Sequence, residues 1–521
     1  MSIRWPGRAR GAWVVIGMAL VWLGSTGWAR PLMLPDEGRY VGVAWEMLRS
    51  GDWLTPTLDG LPYFHKPPLF YWLTALGMGV MGANEWAARV APLLGGTASA
   101  TAVYLFGRRW IDGRTAKAAV AALLSQPMYF LAAQFANMDM LVAGGLTVTI
   151  LWLAHCALML EAGLDVRWHL HGAYGAAALG MLAKGLIALV IPAMVIGTWL
   201  VTRRRWRVMQ GLWSWTAAVV LLAIAAPWFV AMQLRYPEFL DYFFVVQHFQ
   251  RFTGSGFNNV RPVWFYPVIL LALMLPWSPW LLRAAREHAT DASRRSAIAQ
   301  LLWWWVIIAV VFFSIPRSKL IGYILPALPP LAMMAGLGVT AGLGASQAPP
   351  RGWRAVLAFG ALLGLSVVAY ASWRPQGSSR ELGRTLAAHH RPDEPIFLVE
   401  GYRFDLPFYA KLRSPVAVVD DWSSPQIALR DNWRKELADA AHFAQGTDAS
   451  VLVEPGDLAG ALCRSPVNWV VGQEASLNHL AARADATAVF TGHGVVLWRV
   501  VVPADGQCLP GMPNGDSMHK S

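Results

Sequence analysis

The chain has 521 residues, 56% of them hydrophobic and only 14% charged, with 28 Trp and 19 Met. Ordinary globular chains carry about 25% charged residues, so this composition excludes a disordered chain and a wholly soluble enzyme. Residues 1–375 hold 30 of the 43 Lys+Arg and 14 of the 31 Asp+Glu, a net of +16, whereas residues 376–521 hold the remaining 13 and 17, a net of −4.

Stretches near the ~20-residue length that spans a bilayer recur at 12–29, 87–107, 116–132, 140–160, 170–183, 186–201, 211–231, 263–282, 298–315, 320–344 and 353–372. The expected fold class is therefore an α-helical polytopic membrane protein of about 11–13 transmembrane helices, followed by a soluble α/β domain. The first stretch follows Arg4, Arg8 and Arg10 as a signal peptide would. It is too long, however, and ends at Arg30-Pro31 rather than at small residues, so it reads as an uncleaved first span.

Between the first span and the next, residues 30–86 are too polar to cross but amphipathic. In YVGVAWEMLR, Val41, Ala44, Trp45 and Leu48 share one helical face while Glu46 and Arg49 point away, as in a helix lying in the membrane interface. LFYWLTALGMGVMG (69–82) reads as a second interfacial or re-entrant helix. Basic residues then crowd alternate loops: GRRWIDGRTAK (107–117), the turn at Arg167, RRRWR (203–207), RAAREHATDASRR (283–295) and PPRGWR (349–354). The positive-inside rule places these loops and the N-terminus in the cytoplasm, and puts 30–86, the loop 232–262, the turn 316–319 and everything past 373 outside. The expected location is a bacterial inner membrane with a periplasmic C-terminal domain.

Beyond 376 the pattern shifts to short β-like runs, IFLVE, VAVVD, VLVEP, NWVVG and VVLWRVV, alternating with helical stretches such as LGRTLAAHH. The expected division is a membrane domain over 1–375, an α/β domain over 376–503 and a flexible Gly/Pro-rich tail over 504–521. Three cysteines are too few for a disulfide framework. Cys156 lies in an apolar run, and the pairing of Cys463 with Cys508 stays open.

Carboxylates are scarce in the membrane domain, so their placement is informative. Asp36 and Glu37 directly follow the first span and Asp139 opens the fourth from the same side, which brings Asp36 and Asp139 to one membrane face. Paired carboxylates suit general-base or sugar-orienting work and also a divalent cation. The same face collects Arg39, Lys66, Lys184, Arg251, Arg261, Arg317 and Lys319, a cation set suited to phosphate. For Arg261 the plainer reading, a membrane anchor, is preferred. His65 and His248 face the same way and are candidates for a metal pair.

DEGRY (36–40), GDWLTP (51–56), YFHKPPLFYWL (63–73), the isolated Asp139, HFQRF (248–252), LPWSPW (275–280) and SKLIGYILPALPP (318–330) together resemble the aminoarabinose transferase (ArnT-like) branch of the polyprenyl-phosphate-dependent glycosyltransferases. These are GT-C membrane enzymes related to the protein O-mannosyltransferases, and the likeness covers most of residues 1–345. The resemblance implies an inverting transfer of a sugar from an undecaprenyl-phosphate carrier to a periplasmic acceptor, most simply a lipid A phosphate. It implies Asp36 and Asp139 as essential carboxylates, and Arg39, Lys66 and Arg251 as phosphate ligands. Lys319, in the family's SKL turn, and Tyr323, just after it, are further candidates for binding substrate or phosphate. His65 stands where a Glu usually precedes Lys-Pro-Pro, and Gln247 replaces a Glu often found before the His. No cofactor is required, a divalent cation remains possible, and the expected partners are the lipid-linked donor, the acceptor and membrane lipids, with no nucleic acid. Two alternatives stay open: a protein mannosyltransferase, and a lipid-carrier transporter or flippase, which would place ionisable groups along mid-span and show paired repeats.

Overall fold

The computed structural model describes residues 6–250, 259–288, 294–341, 347–375, 377–444, 451–474, 485–492 and 494–502. Arg251, Cys508 and the tail 504–521 lie outside the described residues, as does the side chain of His248. Helices run in the order α1 (Pro6–Gly24), α2 (Asp36–Ser50), α3 (Leu69–Met81), α4 (Glu85–Ala88), α5 (Val90–Trp110), α6 (Gly113–Ser125), α7 (Pro127–Ala132), α8 (Met138–Glu161), α9 (Arg167–Lys184) and α10 (Ile187–Thr202), with further spans beyond.

Every apolar stretch read from the sequence is helical over most of its described residues, but the helices differ in reach. Among the described residues seven helices are long and apolar enough to cross a membrane: Val90–Trp110, Met138–Glu161, Trp215–Arg235, Phe265–Arg286, Arg295–Ser314, Ile321–Thr340 and Arg351–Trp373. Arg10–Gly24, Leu69–Met81 and Ile187–Thr202 are shorter apolar helices. The stretch 116–132 is cut into α6 and α7, because Pro127 offers no N–H to continue α6 and forces Gln126 into an extended conformation. The protein is thus a multi-pass helical membrane protein, as the hydropathy pattern implied.

The C-terminal part folds as a six-stranded sheet in the order β5-β4-β3-β6-β8-β7, built from β3 (Ile396–Val399), β4 (Ala417–Val419), β5 (Leu452–Val453), β6 (Val467–Gln473), β7 (Asp485–Gly492) and β8 (Val495–Val501). β3, β4, β5 and β6 pair in parallel, while β8 and β7 add in antiparallel fashion. β7 was not legible as a strand: it is an edge strand whose residues are exposed or half-buried, so it carries no apolar run. Cys463 is disulfide-bonded, and Cys156 is free and buried.

α2 forms as a helix, but Glu46 does not point away to solvent as its pattern suggested. A hairpin of β1 (Thr57–Leu58) and β2 (Leu61–Pro62) folds back over it, and Glu46 accepts hydrogen bonds from Thr57 Oγ1 (2.8 Å), Asp59 N (2.7 Å) and Gly60 N (2.9 Å). The helix has no water-facing side to reserve for charge, because the C-terminal domain covers the rest. Arg49 donates to Leu412 O (2.8 Å), Val416 N donates to Asp59 Oδ1 (2.9 Å), and Leu32 N donates to the Tyr409 hydroxyl (2.8 Å). At Gly42 a Cβ would lie 3.0 Å from the Phe404 carbonyl oxygen, so the absence of a side chain lets the C-terminal domain pack this closely on α2.

What holds α2 against the membrane helices is Glu37, which is fully buried. It pairs with Arg30 and with Arg89, whose Nε and Nη2 lie 2.9 and 3.0 Å away, and accepts from Met33 N (2.9 Å) and Ala136 N (2.8 Å). Arg30 in turn donates to Gln134 O (2.7 Å), and Arg89 donates to the carbonyls of Gly27, Arg30 and Pro31. Burial alone would raise the Glu37 pKa, but the charges and hydrogen bonds of Arg30 and Arg89 outweigh it and hold the carboxyl at about 2.

Breaking a buried pair by neutralising one partner costs about 3–5 kcal/mol, because the other charge stays buried. Glu37→Gln strands two arginines and should lower the unfolding temperature of the detergent-purified protein by several degrees; an unchanged transition would show that the network contributes nothing. Because folding depresses this pKa, its contribution is present above the ordinary carboxylate value of 4.5 and is lost as pH falls toward about 2. Wild-type stability should therefore decline over that acid window more steeply than that of the Gln variant.

Candidate active site

The two carboxylates singled out from the sequence meet in one cleft. It is lined by Asp36, Arg39 and Tyr40 from α2, Tyr63, His65 and Lys66 from the segment after the hairpin, Asn137, Met138 and Asp139 at the start of α8, Lys184 at the end of α9, and Leu320 and Tyr323. Each reaches the cleft from the end of an element rather than from mid-span. The reason is local: Pro35 precedes the first turn of α2, Asn137 caps α8 by accepting from Asp139 N (3.0 Å), and Gly185 ends α9 with positive φ, immediately after Lys184.

Asp139 is nearly buried and doubly held. Lys184 Nζ donates to its Oδ1 at 2.6 Å, and Asn137 Nδ2 donates to its Oδ2 at 3.2 Å. Lys184 also lies over the Tyr323 ring, 4.4 Å from its centroid. Gly322 packs directly on the carboxylate: a Cβ there would collide with Asp139 Oδ2. The glycine of the SKLIGY segment is thus required by the site, not by the turn.

Asp36 is the more open carboxylate, its side chain 30% exposed. It pairs with Arg39, and Arg39 pairs also with Glu436 of the C-terminal domain. The Tyr63 hydroxyl donates to Glu436 Oε2 at 3.3 Å. The Arg39 guanidinium lies between the Tyr40 and Phe404 rings, 5.2 and 5.6 Å from their centroids. Burial pushes the Tyr40 and Tyr63 phenols up, so both stay protonated and available as donors.

Lys66 and His65 reach the cleft from the Lys-Pro-Pro segment, where His65 is buried with its ring 4.4 Å from that of Tyr63 and 6.2 Å from that of Tyr242. Lys319 does not line it. Its ammonium is turned onto the carbonyls of Pro316 and Arg261 (3.1 Å for the latter), and its backbone N–H bonds Asn259 O (3.1 Å), so it clamps the turn before Tyr323. Burial lowers its pKa. Among the described residues no three His, Cys, Asp or Glu side chains gather as a metal site.

Two members had weak or no signal in the sequence. Lys184 stood out only as one external cation among several, because nothing in Ala-Lys-Gly marks a carboxylate partner 45 residues away. Glu436 sits in an ordinary amphipathic helix (Trp433–His442) of a domain with no recognisable motif. Chemically the cleft sets two carboxylates among guanidinium, ammonium and phenol donors, suited to hold a sugar by its hydroxyls beside a phosphate.

Known proteins resemble this chain in sequence and in fold. A family described as dolichyl-phosphate-mannose-protein mannosyltransferase matches residues 65–230. An undecaprenyl phosphate-alpha-4-amino-4-deoxy-L-arabinose arabinosyl transferase of Pseudomonas aeruginosa is 35% identical over 349 residues, 66% of this chain and 62% of its own length. The same-named protein of Erwinia tasmaniensis is 33% identical over 350 residues, 65% of this chain and 61% of its own length. The chain therefore matches a little under two thirds of the length of these curated relatives. The crystal structure of ArnT from Cupriavidus metallidurans bound to undecaprenyl phosphate superposes with a TM-score of 0.79 at 25% identity, covering 93% of this chain and 97% of that one. In sequence over about two thirds of its length and in fold over nearly all of it, the chain is similar to the ArnT-type glycosyltransferases that the motifs resembled.

Proposed function

We propose that the chain is an inverting glycosyltransferase that moves a sugar from an undecaprenyl-phosphate carrier to an acceptor on the same membrane face, a lipid A phosphate being the acceptor the resemblance favours. One observation carries this reading: the cleft joins two carboxylates to Arg39, Lys66 and Lys184, in a fold that matches a protein solved with undecaprenyl phosphate. The reaction is substitution at the anomeric carbon. The acceptor oxygen forms the new bond from one side while the bond to the carrier phosphate breaks on the other, and both electrons of the broken bond leave with the polyprenyl phosphate.

Negative charge grows on the departing phosphate, and preorganised cations in a water-poor cleft are the strongest means of stabilising it. Lys66 and Arg39 take that role. Asp139, fixed by Lys184 and Asn137, orients the sugar and stabilises positive charge at the anomeric carbon. Asp36, the more open carboxylate, faces the acceptor. A phosphate acceptor is already an anion and needs little base; a hydroxyl acceptor would make Asp36 its proton acceptor. No resident cofactor is part of this reading. The match of residues 65–230 to mannosyltransferases keeps one rival, transfer to a protein hydroxyl, which a peptide acceptor in the same assay separates.

The protein is placed in a bacterial inner membrane with the cleft and the C-terminal domain on the periplasmic side. The basic loops support that orientation, and so does the disulfide at Cys463, since such bonds persist in oxidising compartments. Reporter fusions should find residue 205 cytoplasmic and residue 400 periplasmic; the reverse would put the cleft on the wrong face for this donor.

Asp139→Asn keeps the shape and the Asn137 contact but removes the charge that Lys184 meets, and should abolish lipid A modification in cells lacking their own transferase. Gly322→Ala, which drives a methyl group into the same carboxylate, should lower turnover without removing any polar group. Normal activity in both would exclude Asp139 from the chemistry.

A charge-assisted contact is worth about 1.5–3 kcal/mol, and each 1.4 kcal/mol is roughly tenfold in rate. Lys66→Ala should therefore slow turnover by roughly ten- to a hundredfold and weaken binding of free undecaprenyl phosphate in micelles. If both quantities stay normal, Lys66 is only a membrane anchor. Run in EDTA and again with added magnesium, the same wild-type assay should give equal rates, and a rate that depends on the ion would bring a divalent cation into the cleft.

A further inference from the structure

A second cavity shares no lining residue with the cleft described so far. It has a volume of about 600 Å³ and is walled by α1, α5 and α8, with His169 of α9 at one end. Its walls run from Leu94 to Arg109 along α5, a distance of about 22 Å at 1.5 Å per residue. They are almost entirely apolar, with Leu20, Ala98, Leu105 and Leu151 among them, and no carboxylate lines any part of them.

The polar groups gather at a single end. α5 and α8 both start at the face that carries the cleft, so Arg108 and Arg109 in the last turn of α5, with His155 near the end of α8, lie toward the other face of the membrane. Aromatic neighbours hold them there. Arg108 Nη1 donates to the Tyr104 hydroxyl (2.7 Å), the Arg109 guanidinium lies 4.8 Å from the Trp110 ring centroid, and the His155 and His169 rings meet edge to face at 4.9 Å. Trp110 Nε1 donates to His155 Nδ1 (2.8 Å), which leaves the imidazole proton on Nε2 as a further donor. Loop charge that sets topology explains two arginines, but it explains neither a histidine inside a span nor a long apolar groove that ends on them.

We propose that this groove is a binding site for an anionic phospholipid of the leaflet opposite the active site, with its phosphate at Arg108 and Arg109 and one acyl chain along α5. The charge complements a phosphodiester, and the His155 and His169 donors suit its remaining oxygens. The cavity accepts a single acyl chain, whereas a full undecaprenyl tail is far bulkier. The site is separate from the sugar-transfer cleft and does not rest on the function proposed for it.

The test uses the full chain, delipidated in detergent, with thermal unfolding followed as dioleoyl phosphatidylglycerol, dioleoyl phosphatidylcholine or undecaprenyl phosphate is added. Phosphatidylglycerol should stabilise the wild type more than phosphatidylcholine, and native mass spectrometry should show a retained molecule. An Arg108→Gln/Arg109→Gln double variant should bind phosphatidylglycerol about tenfold or more weakly. Ala98→Phe, which fills the groove and leaves the cations in place, should abolish the shift. Equal stabilisation by the two phospholipids, an undiminished shift in both variants, or a stronger response to undecaprenyl phosphate that Ala98→Phe removes would each overturn the proposal.

Discussion

The candidate site depends on a carboxylate that does not enter it. Glu37 ties the segment after α1, the junction before α5 and the loop before α8 to the first turn of α2 through Arg30, Arg89 and the Ala136 amide. Asp36 precedes Glu37 by one residue and Asp139 follows Ala136 by three, so one buried network sets the spacing of both cleft carboxylates. A charge can be buried this completely only when it is fully paired and hydrogen-bonded. Glu37 accepts from two arginines and two amides, and the price in desolvation is met without a vacant lone pair facing apolar atoms. The same condition makes the arrangement stiff, because moving any one segment would leave a buried charge unmatched.

Within the cleft the electrostatic logic is different. Asp139 faces Lys184, and Asp36 faces Arg39, which is shared with Glu436, so each carboxylate has a cation in contact before any substrate arrives. Such pairing limits the cost of holding charge in a water-poor site. It also means that a phosphate must compete with, or join, existing partners of Arg39. The aromatic rings of Tyr40, Phe404 and Tyr323 hold the cations by their faces, which orients them without adding further negative charge.

Much of this was legible in the sequence. Spacing, charge bias and hydropathy foretold a polytopic helical protein with a C-terminal α/β domain, and the rarity of acids in an apolar chain pointed to Asp36 and Asp139. What the pattern misread shares one cause. Glu46, Lys319 and Glu436 are each defined by a partner distant in the chain: Glu46 by a hairpin folded over α2, Lys319 by the Arg261 carbonyl, Glu436 by Arg39 nearly 400 residues earlier. Helical periodicity describes which face a residue occupies, not what covers that face. Here the β1–β2 hairpin covers it, with the C-terminal domain packed on the hairpin in turn, so a glutamate that one-dimensional reasoning assigned to water became a buried hydrogen-bond acceptor.

The C-terminal domain also forms part of the cleft's surroundings. The membrane helices leave the cleft open where α2 and the hairpin stand clear of the spans, and the helix Trp433–His442 closes that side. Its Glu436 meets Arg39 and Tyr63, while Phe443, just past its end, packs on Phe64 and Tyr242 with ring centroids 4.7 and 5.0 Å apart. A wall built from a separate domain can carry charge toward the cleft without that charge ever crossing the membrane interior, where an unpaired acid is expensive. It also removes water from around Arg39, and excluding water strengthens every charge interaction that remains. The division of labour follows from the solvent: apolar helices anchor the site at the membrane surface, and the polar domain, folded in water, supplies the lid of charge and aromatic rings that the helices are too apolar to provide.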